Sequence, residues 1–262
     1  MKRYFNLYKI FLRFSFLNFT VFRANFINSM VSTVGWGVFQ FAWINLLTIR
    51  TQSAFGWNKH ELVILAILYI IIIGVFHFLF SRNFERFSRI IDRGELDFIL
   101  LKPVDSQFMI TNFMQGYPNL IRIGLGIILL VFYLHINNIS ISFVGLLGFL
   151  VFIVFGIMLL YSLWLSYCTL LIWFPQLTNI LDFLYTINGM SRYPLEMMRE
   201  VKSFLLLFIF PFSIAIATPA KVLVRGTLDG DVYWLIFLSV ILFFTSRTFW
   251  NYALRFYTSA SS

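Results

Sequence analysis

Residues able to do chemistry are sparse in this chain, and their densest grouping lies between residues 81 and 108. Arg82, Arg86, Arg89 and Arg93 recur at spacings of four, three and four. On a helix they form one basic face, with Glu85 and Asp92 on its flank. Gly94 interrupts that helix. Glu95 to Leu101 has the length for about two further turns, carrying Glu95, Asp97 and the apolar set Leu96, Phe98, Ile99, Leu100 and Leu101. Lys102 follows, and Pro103 ends the segment because the residue before a proline is pushed out of the α region. A short amphipathic, charge-rich helix of this kind suits docking against a water-soluble partner, and a solvated loop is the plainer alternative.

The remaining candidates are weaker. Asp229 and Asp231 form a DxD in DGD, a pattern able to hold a metal-bound nucleotide sugar in a transferase; beside Gly226 and Gly230 it also reads as a polar turn. His60, His77 and His135 are scattered, with no HExxH or Cys/His metal spacing. No GxxxxGK[ST] phosphate loop occurs, and no cofactor is implied. Cys168, the single cysteine, lies in an apolar run, so neither an internal disulfide nor a reactive thiol is expected. Arg122 interrupts another apolar run, where an arginine either snorkels to the interface or pairs within or between subunits. Of the carboxylates only Asp182 falls inside an expected span, which gives little support to an ion-coupled relay of buried acids.

The elements that must carry these residues are membrane helices. A mean hydropathy of +0.85 with 12% charged residues excludes a soluble globular domain. Long unbroken apolar runs, without alternating ten-residue segments, predict an all-α integral membrane protein and not a barrel. The 262 residues form one transmembrane domain, 1–262, with room for about six spans of roughly 20 residues. The net charge of +9 sits mainly beside apolar runs, where it sets topology and meets anionic lipid, so no nucleic-acid partner is expected.

In chain order, residues 2–23 predict an amphipathic interface helix, with Lys2, Lys9 and Arg13 on a narrow cationic stripe and Arg23 at its end. The segment lacks a small-residue cleavage site and does not read as a removed signal peptide. Spans are expected at 28–49, 62–80, 112–134, 141–174, 176–193 and 232–250, with 81–108 as a cytoplasmic connection. The run from 141 to 174 is longer than one bilayer needs, so its helix must tilt or project. Lysines and arginines before the first span and after the second place both regions inside, and Arg247 with Arg255 places the C-terminus there too. Two parses compete after Pro175. In one, a short span ends near Tyr193 and 194–226 is external and partly re-entrant, broken by Pro211 and Pro219. In the other, 175–202 stays cytoplasmic and 204–218 is the fifth span, which brings Arg192, Arg199 and Lys202 inside.

Residues 93–108, RGELDFILLKPVDSQF, resemble the signature segment of a poorly characterised branch of the ABC type-2 permease family, the membrane subunits of ABC exporters. The YPLE segment (193–196), FPFSIAIATPAKVLVRG (210–226) and the basic tail are similar in order, so the resemblance covers essentially the whole chain. It implies that Arg93, Gly94, Glu95, Leu96, Asp97, Phe98, Leu100, Lys102 and Pro103 belong to a coupling helix seated on separate ABC ATPase subunits. It implies a second permease copy or a related permease as partner, surrounding membrane lipids, and a multi-pass place in the plasma or inner membrane with both termini cytoplasmic. It implies no ATPase site in this chain, and it favours the external, re-entrant parse of 194–226. A transferase built on Asp229 and Asp231 and a non-transporting membrane scaffold remain the alternatives.

Overall fold

The computed structural model describes residues 2–21, 23–48, 53–177, 179–194, 196–197 and 206–258. Among them the architecture is helical except for one minimal hairpin. Helix α1 (Lys2–Val21) and α2 (Arg23–Thr48) precede two short antiparallel strands, β1 (Ser53–Ala54) and β2 (Trp57–Asn58). Their two-residue turn needs a positive φ at both central positions, and Phe55 and Gly56 supply φ of 54° and 78°. The hairpin seats Trp57 in full burial and hands the chain to α3 (Lys59–Phe76).

Helix α3 is apolar all round and buried nearly along its length, from Leu62 to Phe76. That is the expected fate of a helix without a polar face. It continues without a break through a π segment (His77–Ser81) into α4 (Arg82–Asp92), a run of 34 residues. At 1.5 Å per residue such a run is about 50 Å long, well beyond the roughly 30 Å of a hydrocarbon core. The arginine-rich stretch assigned to the 81–108 connection is therefore the projecting end of a long helix. Its wide π turn frees the Phe78 carbonyl, which accepts from the Gly116 N–H at 2.8 Å. Asn83 clamps the same reversal, donating to the Met114 carbonyl at 2.6 Å and accepting from its N–H at 2.7 Å.

Two short helices follow, α5 (Asp97–Leu100) and α6 (Ser106–Asn112), then α7 (Pro118–Ile136). The span expected from 112 starts instead at Pro118, whose missing N–H suits a first helical turn. Helix α8 (Phe143–Thr169) extends through a 3₁₀ turn to Ile172, in keeping with the long apolar run there. Helix α9 (Ile180–Met190) has only 11 residues, about 16 Å, and is too short to cross a bilayer alone, unlike the 176–193 span expected of it. Helix α10 (Leu206–Arg225) contains both Pro211 and Pro219, and α11 (Gly230–Ala253) ends in a 3₁₀ turn, Leu254–Phe256. Four described helical runs are long and apolar enough to cross a membrane: 59–92, 118–136, 143–172 and 230–256.

Helix packing depends on close backbone approach. A Cβ on Gly156 of α8 would stand 2.3 Å from the Ala215 carbonyl oxygen of α10, and one on Gly148 would stand 2.5 Å from Val222. Falling residue numbers on α8 therefore meet rising numbers on α10, so the two run antiparallel. Gly126 of α7 meets Ile70 and Ile71 of α3 in the same way. Without a hydrophobic driving force between helices in lipid, such small-residue contacts let dispersion and shape hold the bundle.

Gly156→Ala should thus force α8 and α10 apart and lower stability by about 1–3 kcal/mol. A reduced thermal midpoint of the detergent-purified chain, with Gly35→Ala unchanged because nothing lies within 4 Å of that position, is the expected result.

Candidate functional site

The α4–α6 connection is built from strong local signals. Arg93 closes α4, and Gly94 takes φ of 65°, a left-handed conformation that glycine adopts without strain. Glu95 N–H donates to Ile90 O at 2.9 Å and Gly94 N–H to Ile91 O at 3.0 Å, the double closure of a Schellman motif. The next helix is the single turn α5, shorter than the two turns anticipated. Leu96 (0% exposed) and Ile99 (4%) point into the protein, while Phe98 (68%), Leu101 (81%) and Leu100 (38%) face outward. Leu96, expected on the docking face, is a core residue; its burial removes it from any surface contact. Arg93, Lys102 and Pro103 are exposed, and Glu95 and Asp97 are half-buried. Burial raises the pKa of the Tyr257 hydroxyl in the C-terminal tail, and the Asp97 carboxylate against it adds to the shift.

The predicted basic face of α4 divides. Arg82, Arg89 and Arg93 are exposed, whereas Arg86 folds over the Phe113 ring at 4.0 Å. Glu85 accepts from the Tyr185 hydroxyl of α9 at 2.5 Å.

Directly after Pro103 lies a polar junction that sequence reasoning missed. Asp105 caps α6, its Oδ1 accepting from Phe108 N–H at 2.9 Å. Arg247 of α11 grips both carboxylate oxygens of Asp105 and also donates to Gln107 Oε1 at 2.7 Å. Gln107 Nε2 donates to the Tyr161 hydroxyl of α8 at 2.7 Å, and Trp250 Nε1 donates to Ser106 at 3.2 Å. Helix α1 closes the other side: Arg3 donates to the Pro103 carbonyl at 2.9 Å, and the Tyr4 ring meets Phe108 edge-on at 5.0 Å. Two clues were available in the sequence. Asp105 stands three residues before Phe108 in N-cap spacing, and Arg247 breaks an apolar run much as Arg122 does.

The interface-helix cations Lys2, Lys9 and Arg13 are exposed, while Phe11 and Ser15 turn inward; the side chain of Arg23 lies outside the described residues. Ser15 accepts from Gln115 N–H at 3.1 Å, and Tyr117 donates to the Leu12 carbonyl at 3.0 Å, so α1 rests on the α6–α7 reversal.

At the opposite, hairpin end, Lys221 (6% exposed) lies 2.6 Å from Asp231 and 2.5 Å from Glu196. Trp57 Nε1 donates to Glu196 at 2.7 Å, and Arg225 holds Glu61 with two 2.9 Å bonds. Burial pushes the Glu196 carboxyl up, but the Lys221 and Trp57 donors outweigh it and hold it below the ordinary range. The Asp231 of the DGD pattern is therefore engaged by a lysine.

For Asp105, burial likewise pushes the pKa up, and the bonds from Arg247 and the Phe108 N–H outweigh it and hold the carboxyl below its ordinary value. A depressed folded pKa contributes stability above the unfolded pKa that is lost as pH falls through the folded value. Asp105→Asn keeps an N-cap oxygen and removes the carboxylate charge, so it should cost about 0.5–1 kcal/mol, the worth of a half-exposed, screened ion pair. The deficit should be full at neutral pH and shrink as pH falls below the ordinary carboxylate range and Asp105 protonates, read as converging thermal midpoints of variant and wild type.

A family model described as ABC-2 family transporter protein matches residues 34–261. Among curated proteins no relative matches the chain. The matched residues include all four described runs long and apolar enough to cross a membrane, and the protein belongs to the ABC-2 transporter family, as a multi-pass permease subunit of an ABC transporter.

Proposed function

We propose that this chain is the permease of an ABC exporter, that it works as a dimer or with a related permease, and that separate ATPase subunits dock on the 81–108 connection. The observation that carries the reading is the ridge of Phe98, Leu100 and Leu101, exposed on a turn whose other face, Leu96 and Ile99, is anchored in the core. Exposed apolar side chains at a water-facing tip are costly unless a partner covers them. ATP-driven closure of the partner would push this ridge, and the junction at Asp105 and Gln107 would pass the push to α8 and α11. Phe-rich spans with almost no carboxylates suit a hydrophobic or amphipathic substrate leaving the membrane.

Six spans require α2 and α9 to join the four apolar runs. The contact of Glu196 with Trp57 supports a reading in which 194–226 lies on the external side and α10 returns as a re-entrant leg. Arg192 alone of the three basic residues weighed against this parse has a described position; Arg199 and Lys202 lie outside the described residues. The basic α1, α4 and tail then face the cytoplasm. A transferase using Asp229 and Asp231 draws no support from a site in which Asp231 is bonded to Lys221.

Phe98→Asp with Leu101→Asp should weaken co-purification of the ATPase subunit about 30-fold or more, as loss of an apolar anchor does, with the permease's thermal midpoint unchanged. Leu96→Arg should instead lower the midpoint itself. ATPase recovery equal to wild type from the stable double variant would remove the docking role and leave the scaffold reading to be tested by ATP hydrolysis in the reconstituted complex.

A further inference from the structure

Arg122 was expected either to snorkel to the interface or to pair within or between subunits; it turns to Tyr69 on α3 and has no carboxylate partner among the described residues. Its Cγ lies beside Gly74, where the Gly74 Cβ position is 3.7 Å away, yet its guanidinium sits 5.9 Å from the Tyr69 ring. Tyr69 is more than one helical turn farther along α3, toward the hairpin end and away from the start of α7. The side chain thus reaches toward the middle of the bundle. There it meets a second cation: Arg192, just past α9, has its guanidinium 5.8 Å from the same ring and donates to the Gly189 carbonyl at 2.6 Å.

Neither guanidinium has a carboxylate within ion-pair distance among the described residues. Two like charges sharing one aromatic ring inside a membrane protein repel each other and lack the hydration that would screen them. The arrangement calls for an anion. A crevice of about 140 Å³ opens beside Arg192, walled by Ile44, Thr48, Leu62, Tyr193 and Pro194. A separate small cleft of about 10 Å³, also walled by Arg192, is lined by Gln40, Trp43 and Tyr69. Gln40 Oε1 is buried there without a hydrogen-bond partner among the described residues. Outside the crevice α2 presents Val38, Phe39, Trp43 and Leu46 as an exposed apolar strip.

From this geometry we infer that the crevice between α2, α3 and the chain after α9 binds the anionic headgroup of an amphiphile, with Arg192 in its wall as the direct counter-charge, Arg122 adding its charge from beside Tyr69, and the acyl chain along α2. Planar guanidinium groups suit a phosphate or carboxylate head, because paired N–H donors meet paired oxygens. The unpartnered Gln40 Oε1 accepts only, so it suits a hydroxyl carried by the headgroup and not its anionic oxygens. The occupant is either a resident anionic lipid or a transported anionic amphiphile, which share this chemistry. The binding site itself stands independently of ATPase docking.

The test uses the full chain in nanodiscs of phosphatidylcholine, alone or mixed with phosphatidylglycerol. Wild type should gain about 5 °C in thermal midpoint from phosphatidylglycerol, as ligand linkage gives for a site near saturation. Arg122→Gln and Arg192→Gln should each lose most of that gain, Arg192→Lys should keep part of it, and Arg255→Gln, at an exposed tail position, should keep all of it. Independently of any variant, wild type extracted in neutral detergent should retain phosphatidylglycerol by mass spectrometry. An equal midpoint in the two lipids, with no retained phosphatidylglycerol, would overturn the site, as would a full gain in both glutamine variants. Phosphatidylglycerol that stimulates ATP hydrolysis of the reconstituted complex through Arg192 identifies a substrate. Saturable stabilisation without stimulation identifies a resident lipid, and either upholds the site.

Discussion

The grip of Arg247 on Asp105 is the interaction on which the α4–α6 end of this permease depends. Asp105 is at once the N-cap of α6 and the acceptor for an arginine rising from the last membrane helix, and Gln107 extends the same network to Tyr161 of α8. The Arg247–Asp105 pair itself is half-exposed and screened, while Gln107 and Tyr161 are buried, so the cost of breaking the network falls mainly on the inner Gln107–Tyr161 bond. A connection that could have been a loose loop is therefore a fixed corner. Phe98 and Leu101 stand at a defined height because Leu96 and Ile99 are buried beneath them and the next two turns of chain are bonded to two membrane helices.

This corner works with a second feature of the fold. Helices α3 and α4 form one continuous rod, with a π turn at the level where the chain reverses through Met114 and Gly116. A force on the α4–α6 connection is delivered both to the rod and, through Arg247, to α11. At the far end Trp57, Glu61, Glu196, Lys221, Arg225 and Asp231 tie the hairpin to α10 and the start of α11. Each end is thus held by charge and hydrogen bonds, while the middle is held by glycine-mediated contact. The middle has fewer directional bonds, and it is also where Arg122 and Arg192 face each other across Tyr69.

Much of this was legible in the residues. Composition and apolar run length gave an all-α membrane protein, Gly94 and Pro103 marked the ends of the connecting segment, and RGELDFILLKPVDSQF carried a family resemblance that the match over 34–261 supports. Three things were not legible, each for a physical reason. Helix periodicity cannot tell which side of a one-turn helix is buried, so Leu96 was assigned to the surface and is in the core. Apolar run length cannot detect a π turn or a break such as 113–117, so it did not show that the helix of the second span runs on to Asp92 or that the next long helix starts at Pro118. The N-cap spacing of Asp105 and the position of Arg247 in an apolar run were visible singly, but nothing local links residues more than a hundred positions apart, so their pairing was not legible, and Arg122 was read without its neighbour Arg192.

The central claim is that the α4–α6 connection and the last membrane helix move as one body because Arg247 holds Asp105. Spin labels at Arg93 and Asn251, both exposed, would measure their separation in the complex with its ATPase subunit, with and without bound nucleotide. The account predicts one narrow distance that is the same in both states and that broadens in Asp105→Asn. A distance that changes with nucleotide in the otherwise wild-type chain, or that stays narrow in Asp105→Asn, would contradict it.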